Sequence, residues 1–189
     1  CLYHPQLGYY ARPEATTVSK DGDFMTSVSV GPVFGQLLAR RIERFWQLNG
    51  APEDFCIFEV GAHNGSLAKD ILSGLSAELR KVTRYHIIEP LENQRVHLAK
   101  TLGPEFTILS APLKKATTMG VVVANEVFDA LPVPLYLFSN EQWHEATVTW
   151  DDGFDWATRA TDFSLLGNYP EGYVTEGRPN LVEFISPLT

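Results

Sequence analysis

Three short segments of the chain place residue types that can do chemistry at telling spacings. The first is Phe58-Glu-Val-Gly-Ala-His-Asn-Gly-Ser-Leu67, in which the acid Glu59 is followed at the second and sixth positions by Gly61 and Gly65. Glycine lets a backbone approach a ligand closely, so Gly61, Ala62, His63 and Gly65 are candidate ligand contacts. A dinucleotide fingerprint would need glycine at positions 61, 63 and 66, but His63 and Ser66 stand at two of them. That argues against NAD or FAD. The second segment ends in Glu89-Pro90, about 24 residues beyond Gly65. An acid there can accept hydrogen bonds from both hydroxyls of a ribose. The third is Asn125-Glu126-Val-Phe-Asp129-Ala-Leu-Pro132. Glu126 and Asp129 are spaced to share one face of a helical turn, where two carboxylates can hold a cationic group. His4, His63, His86, His97 and His144 show no metal-ligand spacing with acids or cysteine, so no metal is expected.

These segments need elements to position them. Phe34, Leu37, Leu38, Ile42, Phe45 and Trp46 recur at helical spacing, predicting a helix from Pro32 to Asn49. Phe55–Val60 is a short apolar run suited to a buried parallel strand. After the glycine loop, Leu67, Ile71, Leu72, Leu75 and Leu79 predict one helix. Arg84–Glu89 reads as a second strand and Pro90–Leu102 as a second-layer helix, with Gly103 past its end. Phe106–Leu109 and Gly120–Ala124 add two further strands. Alternating strand and helix imply a parallel sheet with helices on its faces. All three chemical segments then follow strand ends on one edge of that sheet. Beyond Pro134 the pattern changes: Leu135–Phe138, Trp143–Trp150 and Trp150–Arg159 are separated by Ser139-Asn140 and Asp152-Gly153, predicting an antiparallel meander.

The bulk composition narrows the partners. The 189 residues carry 15 Lys plus Arg against 23 Asp plus Glu, a net charge of −8. Such a surface repels phosphate backbones, so nucleic acid is a poor partner, and the Arg40-Arg41-Arg44 run reads as a solvated helix face. The longest apolar runs are too short to span a bilayer, and no membrane insertion is expected. Cys56 lies in an apolar run and reads as core; with Cys1 it forms no disulfide framework, which suits a reducing compartment.

The motifs Tyr3-His-Pro-Gln-Leu-Gly-Tyr-Tyr10, Asp21-Gly-Asp-Phe-Met-Thr-Ser27 and Gly31-Pro-Val-Phe-Gly35, the glycine loop, and Asn125-Glu-Val-Phe-Asp-Ala-Leu-Pro132 occur in this order. Together they resemble the MidA-type methyltransferases, a family that includes a mitochondrial complex I assembly factor that methylates a protein arginine. The resemblance implies a Rossmann-like α/β fold and S-adenosylmethionine as cofactor. The acid-glycine-glycine spacing at Glu59, Gly61 and Gly65 is similar to the wider methyltransferase pattern, which prefers glycine where this chain has His63. By resemblance Gly22 to Ser27 line the active site, with Gly22 near the cofactor and Asp23 a catalytic candidate beside Glu126 and Asp129. Ala62, Pro90 and Asn125 join the cofactor positions.

The resulting expectation is an arm over residues 1–33 contributing to the active site, a cofactor-binding core over 34–134 and a meander with the start of a C-terminal part over 135–189. Four parallel strands make a small sheet, so more of the fold is expected beyond Thr189, and the opening Cys1 suggests sequence upstream. The expected activity is methyl transfer to a protein side-chain nitrogen, arginine favoured, in the cytoplasm or, in a eukaryote, the mitochondrial matrix. Two alternatives stay open: a non-catalytic cofactor- or partner-binding assembly module that uses the apolar Phe34–Trp46 helix and the aromatic meander, and a small-molecule methyltransferase.

Overall fold

The computed structural model describes residues 2, 4, 7–11, 27–111 and 119–177. The described residues divide into two compact units, one up to Ala130 and one from Leu131 onward. The proposed site residues of the described segments belong to the first.

In the first unit a parallel sheet is built from β1 (Phe55–Val60), β2 (Thr83–Ile88), β3 (Phe106–Leu109) and β4 (Gly120–Val123), in the order β3-β2-β1-β4. Helix α1 (Val33–Leu48) precedes β1, α2 (Ser66–Gly74) and α3 (Ala77–Val82) link β1 to β2, and α4 (Glu92–Thr101) links β2 to β3. All six residues of β1 are buried, as a central parallel strand requires. Phe55 and Ile57 point to the same face as Tyr85, Ile87 and Phe106, and there they join Ala39, Ile42 and Trp46 of α1 and Leu67, Ile71 and Leu72 of α2 in one core. Each such aliphatic side chain withdrawn from water contributes about 1.5–3 kcal/mol.

The predicted helix over Pro32 to Asn49 is found as α1, with Pro32 as its N-cap and Asn49 as its C-cap. Its buried stripe is narrower than the apolar pattern: Gly35, Ala39, Ile42 and Trp46 face the core, whereas Leu37 is 55% and Phe45 40% exposed. Gly35 lies so close to α2 that an added Cβ would collide with Asp70 Cβ. The Arg40, Arg41 and Arg44 side chains are exposed.

One predicted helix is corrected. The run Leu67 to Leu79 is two helices, because Leu75 and Ser76 take extended conformations and Ser76 caps α3, its Oγ accepting from Leu79 N at 3.3 Å. The leucine spacing persists through the break, since both helices bury that side. The helix predicted from Pro90 begins instead at Glu92, after Leu91 as its N-cap.

The second unit is a four-stranded antiparallel sheet, β5 (Leu135–Ser139), β6 (Gln142–Trp150), β7 (Phe154–Ala160) and β8 (Tyr173–Glu176), in the order β7-β6-β5-β8. The meander is as predicted, with β8 added. Asn140 and Glu141 both have positive φ, 51° and 62°, as a two-residue hairpin turn of matching twist demands. The Glu171 carboxylate fastens that turn by accepting from Ser139 Oγ at 2.6 Å and Asn140 N at 3.0 Å. The aromatics divide by face. Tyr136 stacks on Phe163 and Trp143 meets Phe163 edge-on, forming a core, while Trp150, Phe154 and Trp156 on the other face are each more than half exposed. Among the described residues no helix is long and apolar enough to cross a membrane.

Candidate functional site

β2 and β3 lie on one side of β1 and β4 on the other, so the strand order reverses between β1 and β4. In an open parallel sheet that reversal leaves a crevice beyond the carboxyl ends of the strands, where ligands bind. The residues following Val60, Ile88 and Val123 are therefore the ones that meet there, and they are the three segments singled out from the sequence.

The loop after β1 is held in an unusual backbone path. Gly61, His63 and Gly65 all have left-handed φ, 66°, 50° and 76°. Gly61 N donates to Ile88 O at 3.1 Å, Gly65 N to Ala62 O at 2.8 Å, and Ser66 N to Asn64 Oδ1 at 2.9 Å, fixing both ends of the loop. Gly65 is the N-cap of α2, and an added Cβ would come within 2.7 Å of Leu102. His63 accepts the left-handed conformation that the wider pattern assigns to glycine, at the modest cost known for this residue type. It is half-buried, and burial, with repulsion from His97 second, lowers its pKa and favours the neutral ring.

Two carboxylates are buried at this edge. Glu59 is 1% exposed, and the Tyr85 hydroxyl donates to its Oε2 at 2.5 Å. Burial raises the Glu59 carboxyl to about 7, with the Tyr85 hydrogen bond acting in the opposite direction. Nothing in the sequence around Tyr85 marks it for the site. It shares a face with Glu59 only because Ile57 pairs with Tyr85 across the two strands, and that register is not written in either segment alone.

Glu89 is 6% exposed. Its N donates to Leu109 O at 2.9 Å, and its Oε1 accepts from Leu91 N at 2.9 Å. Arg95 Nη1 donates to the carbonyls of Glu89 (2.9 Å) and Pro90 (2.6 Å), tying α4 to the strand end. Burial raises the Glu89 pKa; the Leu91 amide and the Arg95 charge pull the other way. Pro90 itself is exposed, outside α4.

After β4, Asn125 is half-buried and Glu126 is exposed with φ 52°. The helical turn is a single 3₁₀ turn over Phe128–Ala130, which contains Asp129 but not Glu126. The expectation that one helical turn presents both carboxylates is thus corrected, because the left-handed residue precedes the turn. Between the two acids, Val127 reaches Gly61: its Cγ2 is 3.3 Å from where a Gly61 Cβ would stand. The first and third segments are therefore in contact across the strand reversal. Gly22 and Asp23 lie outside the described residues.

Known proteins share this architecture. A protein from Burkholderia thailandensis crystallised with S-adenosyl-homocysteine is 31% identical, with a TM-score of 0.83 over 99% of this chain and 52% of its own. A second, uncharacterized crystal structure from that organism gives 32% identity and a TM-score of 0.76, covering 99% of this chain and 50% of its own. Among curated relatives, a Drosophila melanogaster protein named "Protein arginine methyltransferase NDUFAF7 homolog, mitochondrial" is 26% identical over 78% of this chain and 39% of its own length. The mouse "Protein arginine methyltransferase NDUFAF7, mitochondrial" is 28% identical over 79% of this chain and 40% of its own. The chain thus spans about two fifths of the curated relatives it matches and about half of the solved chains. A family model, "Putative S-adenosyl-L-methionine-dependent methyltransferase", matches residues 37–188, most of the sequence, and the chain belongs to that family.

Proposed function

We propose that this chain is the cofactor-binding part of an S-adenosylmethionine-dependent methyltransferase acting on a protein side-chain nitrogen, with arginine the favoured acceptor. The observation that carries the reading is the convergence of the glycine loop, Glu89 and the Asn125–Asp129 segment on one sheet edge, with Gly61 against Val127. The groups present suit this cofactor. Glu89 accepts the two ribose hydroxyls beside Pro90. Gly61, Ala62, His63 and Gly65 surround the amino acid and sulfonium end, Glu59 supports them from below, and Asn125 borders the site. Gly22 and Asp23 join it on the strength of the family motif.

When bound, S-adenosylmethionine supplies a methyl group on a positively charged sulfur. The protein's task is then alignment of the acceptor nitrogen with that methyl group. A guanidinium is always protonated in water, so its orientation and the charge it carries call for carboxylates. Glu126 takes this role, with Asp129 and Asp23 as further acids. The names of the curated relatives support both the arginine acceptor and a mitochondrial place for a eukaryotic protein.

The test is transfer of labelled methyl groups to arginine in a protein extract. Glu126→Gln should keep cofactor affinity and lower turnover by about 100-fold or more, the scale for losing one electrostatic group at a reacting centre. Unchanged turnover would remove Glu126 from the mechanism.

A further inference from the structure

Glu59 and Glu89 are the buried acids among the described residues, and they keep different company. Glu89 feels the positive charge of Arg95. Among the described residues, the side chain that meets Glu59 is the neutral Tyr85 hydroxyl, which donates to it. Tyr85 is itself 1% exposed, and its ring packs edge-on against Phe106 with centroids 5.1 Å apart. The phenol is thus locked by packing and points along the sheet face toward the carboxyl end of β1. Charged side chains on the helices packed against this face turn elsewhere: Arg40, Arg41 and Arg44 of α1 and Lys69 of α2 are exposed, and Glu43 and Asp70 are only half-buried. His63 in the loop, Glu89 at the neighbouring strand end and the acids Glu126 and Asp129 after β4 are the other ionisable groups of this edge among the described residues; on α4, Glu92, His97 and Lys100 are exposed and Arg95 is held by the Glu89 and Pro90 carbonyls.

A carboxylate withdrawn from water is costly to ionise unless a positive charge compensates it. A buried acid whose partner among the described residues is a neutral hydroxyl, two residues before Gly61, is suited to a ligand that brings the cation. Resting on the methyl-cofactor reading above, we propose that Tyr85 is a positioning residue which fixes the Glu59 carboxylate under the glycine loop, where its negative charge favours the sulfonium form of the ligand over the neutral thioether product.

The consequence is a proton linkage. Free Glu59 titrates near 7, so below that pH it is largely protonated. A ligand with an extra positive charge draws it toward the ionised form and releases a proton. S-adenosylmethionine affinity should therefore rise with pH through this region, and S-adenosylhomocysteine affinity, without the sulfonium charge, should rise less. The Tyr85 hydrogen bond stabilises the ionised form, so its removal moves the rise to higher pH. Each unit of such a shift lowers the ionised fraction at a fixed pH below the midpoint by about tenfold.

Tyr85→Phe keeps the ring and its packing on Phe106 while deleting the hydroxyl. Two measurements test it. In ligand-free protein, carbon NMR of the Glu59 carboxyl, assigned with Glu59→Gln, should show a higher midpoint in the variant; an unmoved midpoint overturns the positioning role. Calorimetric titration of S-adenosylmethionine and S-adenosylhomocysteine from about pH 6 to about pH 8 should show the preference for the sulfonium ligand growing with pH in the wild type and displaced upward in Y85F. The ligand's own amino group titrates alike against both proteins and cancels. Wild-type and Y85F profiles that superimpose overturn the proposal. Should Y85F not fold, Glu59→Gln gives the same reading: the pH dependence of S-adenosylmethionine affinity should differ from the wild type's, and profiles that superimpose overturn it. Failure of the wild type to bind either ligand counts instead against the cofactor reading, and the ligand-free NMR arm separates the two failures.

Discussion

Val127 Cγ2 lies 3.3 Å from the position a Cβ would occupy on Gly61. Through that contact the loop after β1 and the segment after β4 become one surface, although each is held by a different strand. Glycine is needed at position 61 for two independent reasons, the left-handed φ of 66° and the room Val127 leaves.

Gly61→Ala should accordingly destabilise the chain by about 1–2 kcal/mol, the cost of a left-handed residue with a Cβ. It should also weaken S-adenosylmethionine binding, because the Val127 side chain must move. Urea unfolding and a ligand titration measure the two effects separately. A neutral outcome in both would show that the loop adapts freely.

Glu59 predicts a pH dependence of stability. Its folded value is raised from 4.5 to about 7, so between those limits the folded state binds more protons than the unfolded one. The associated stability is present below the ordinary carboxyl range and is lost as pH rises through about 7. Glu59→Gln removes the titration while keeping an oxygen for the Tyr85 hydroxyl. The variant should match wild type near pH 5 and exceed it near pH 8 by roughly 1–3 kcal/mol. Urea midpoints at the two pH values decide it; parallel behaviour contradicts the assignment.

Gly35→Val tests the packing that seats the glycine loop's helix. The added side chain meets Asp70 Cβ and the Ile71 backbone of α2, and overpacking of this kind costs about 1–3 kcal/mol. Leu37→Ala on the exposed side of α1 is the control and should stay within about 0.5 kcal/mol. Equal unfolding midpoints for both variants would contradict the close approach of α1 and α2.

Much of this arrangement was legible from the sequence. Phe55–Val60 and the apolar stretch before Glu89 are short and continuous, which parallel strands buried on both faces require, and the loop and acids follow strand ends. The break at Leu75-Ser76 was hidden because Leu75 and Leu79 keep helical spacing across it, although Ser76 with Glu78 behind it is a capping signal. The left-handed φ of Glu126 was not legible, because a glutamate carries little preference for that conformation. The contact of Tyr85 with Glu59 depends on strand register, a property of two segments together. The apolar spacing that includes Leu37 and Phe45 marks a helix but not its buried side, because α1 buries small residues, Gly35 and Ala39, where α2 comes close.

Calorimetric titration of S-adenosylmethionine into the wild type and Glu89→Ala tests for a methyl-cofactor site at the β1–β4 reversal. The wild type should bind and the variant should lose roughly tenfold or more in affinity, the scale for removing a charged acceptor from hydroxyl donors, with the thermal melt showing both proteins folded. Equal affinity in the two, or binding by neither, would contradict it.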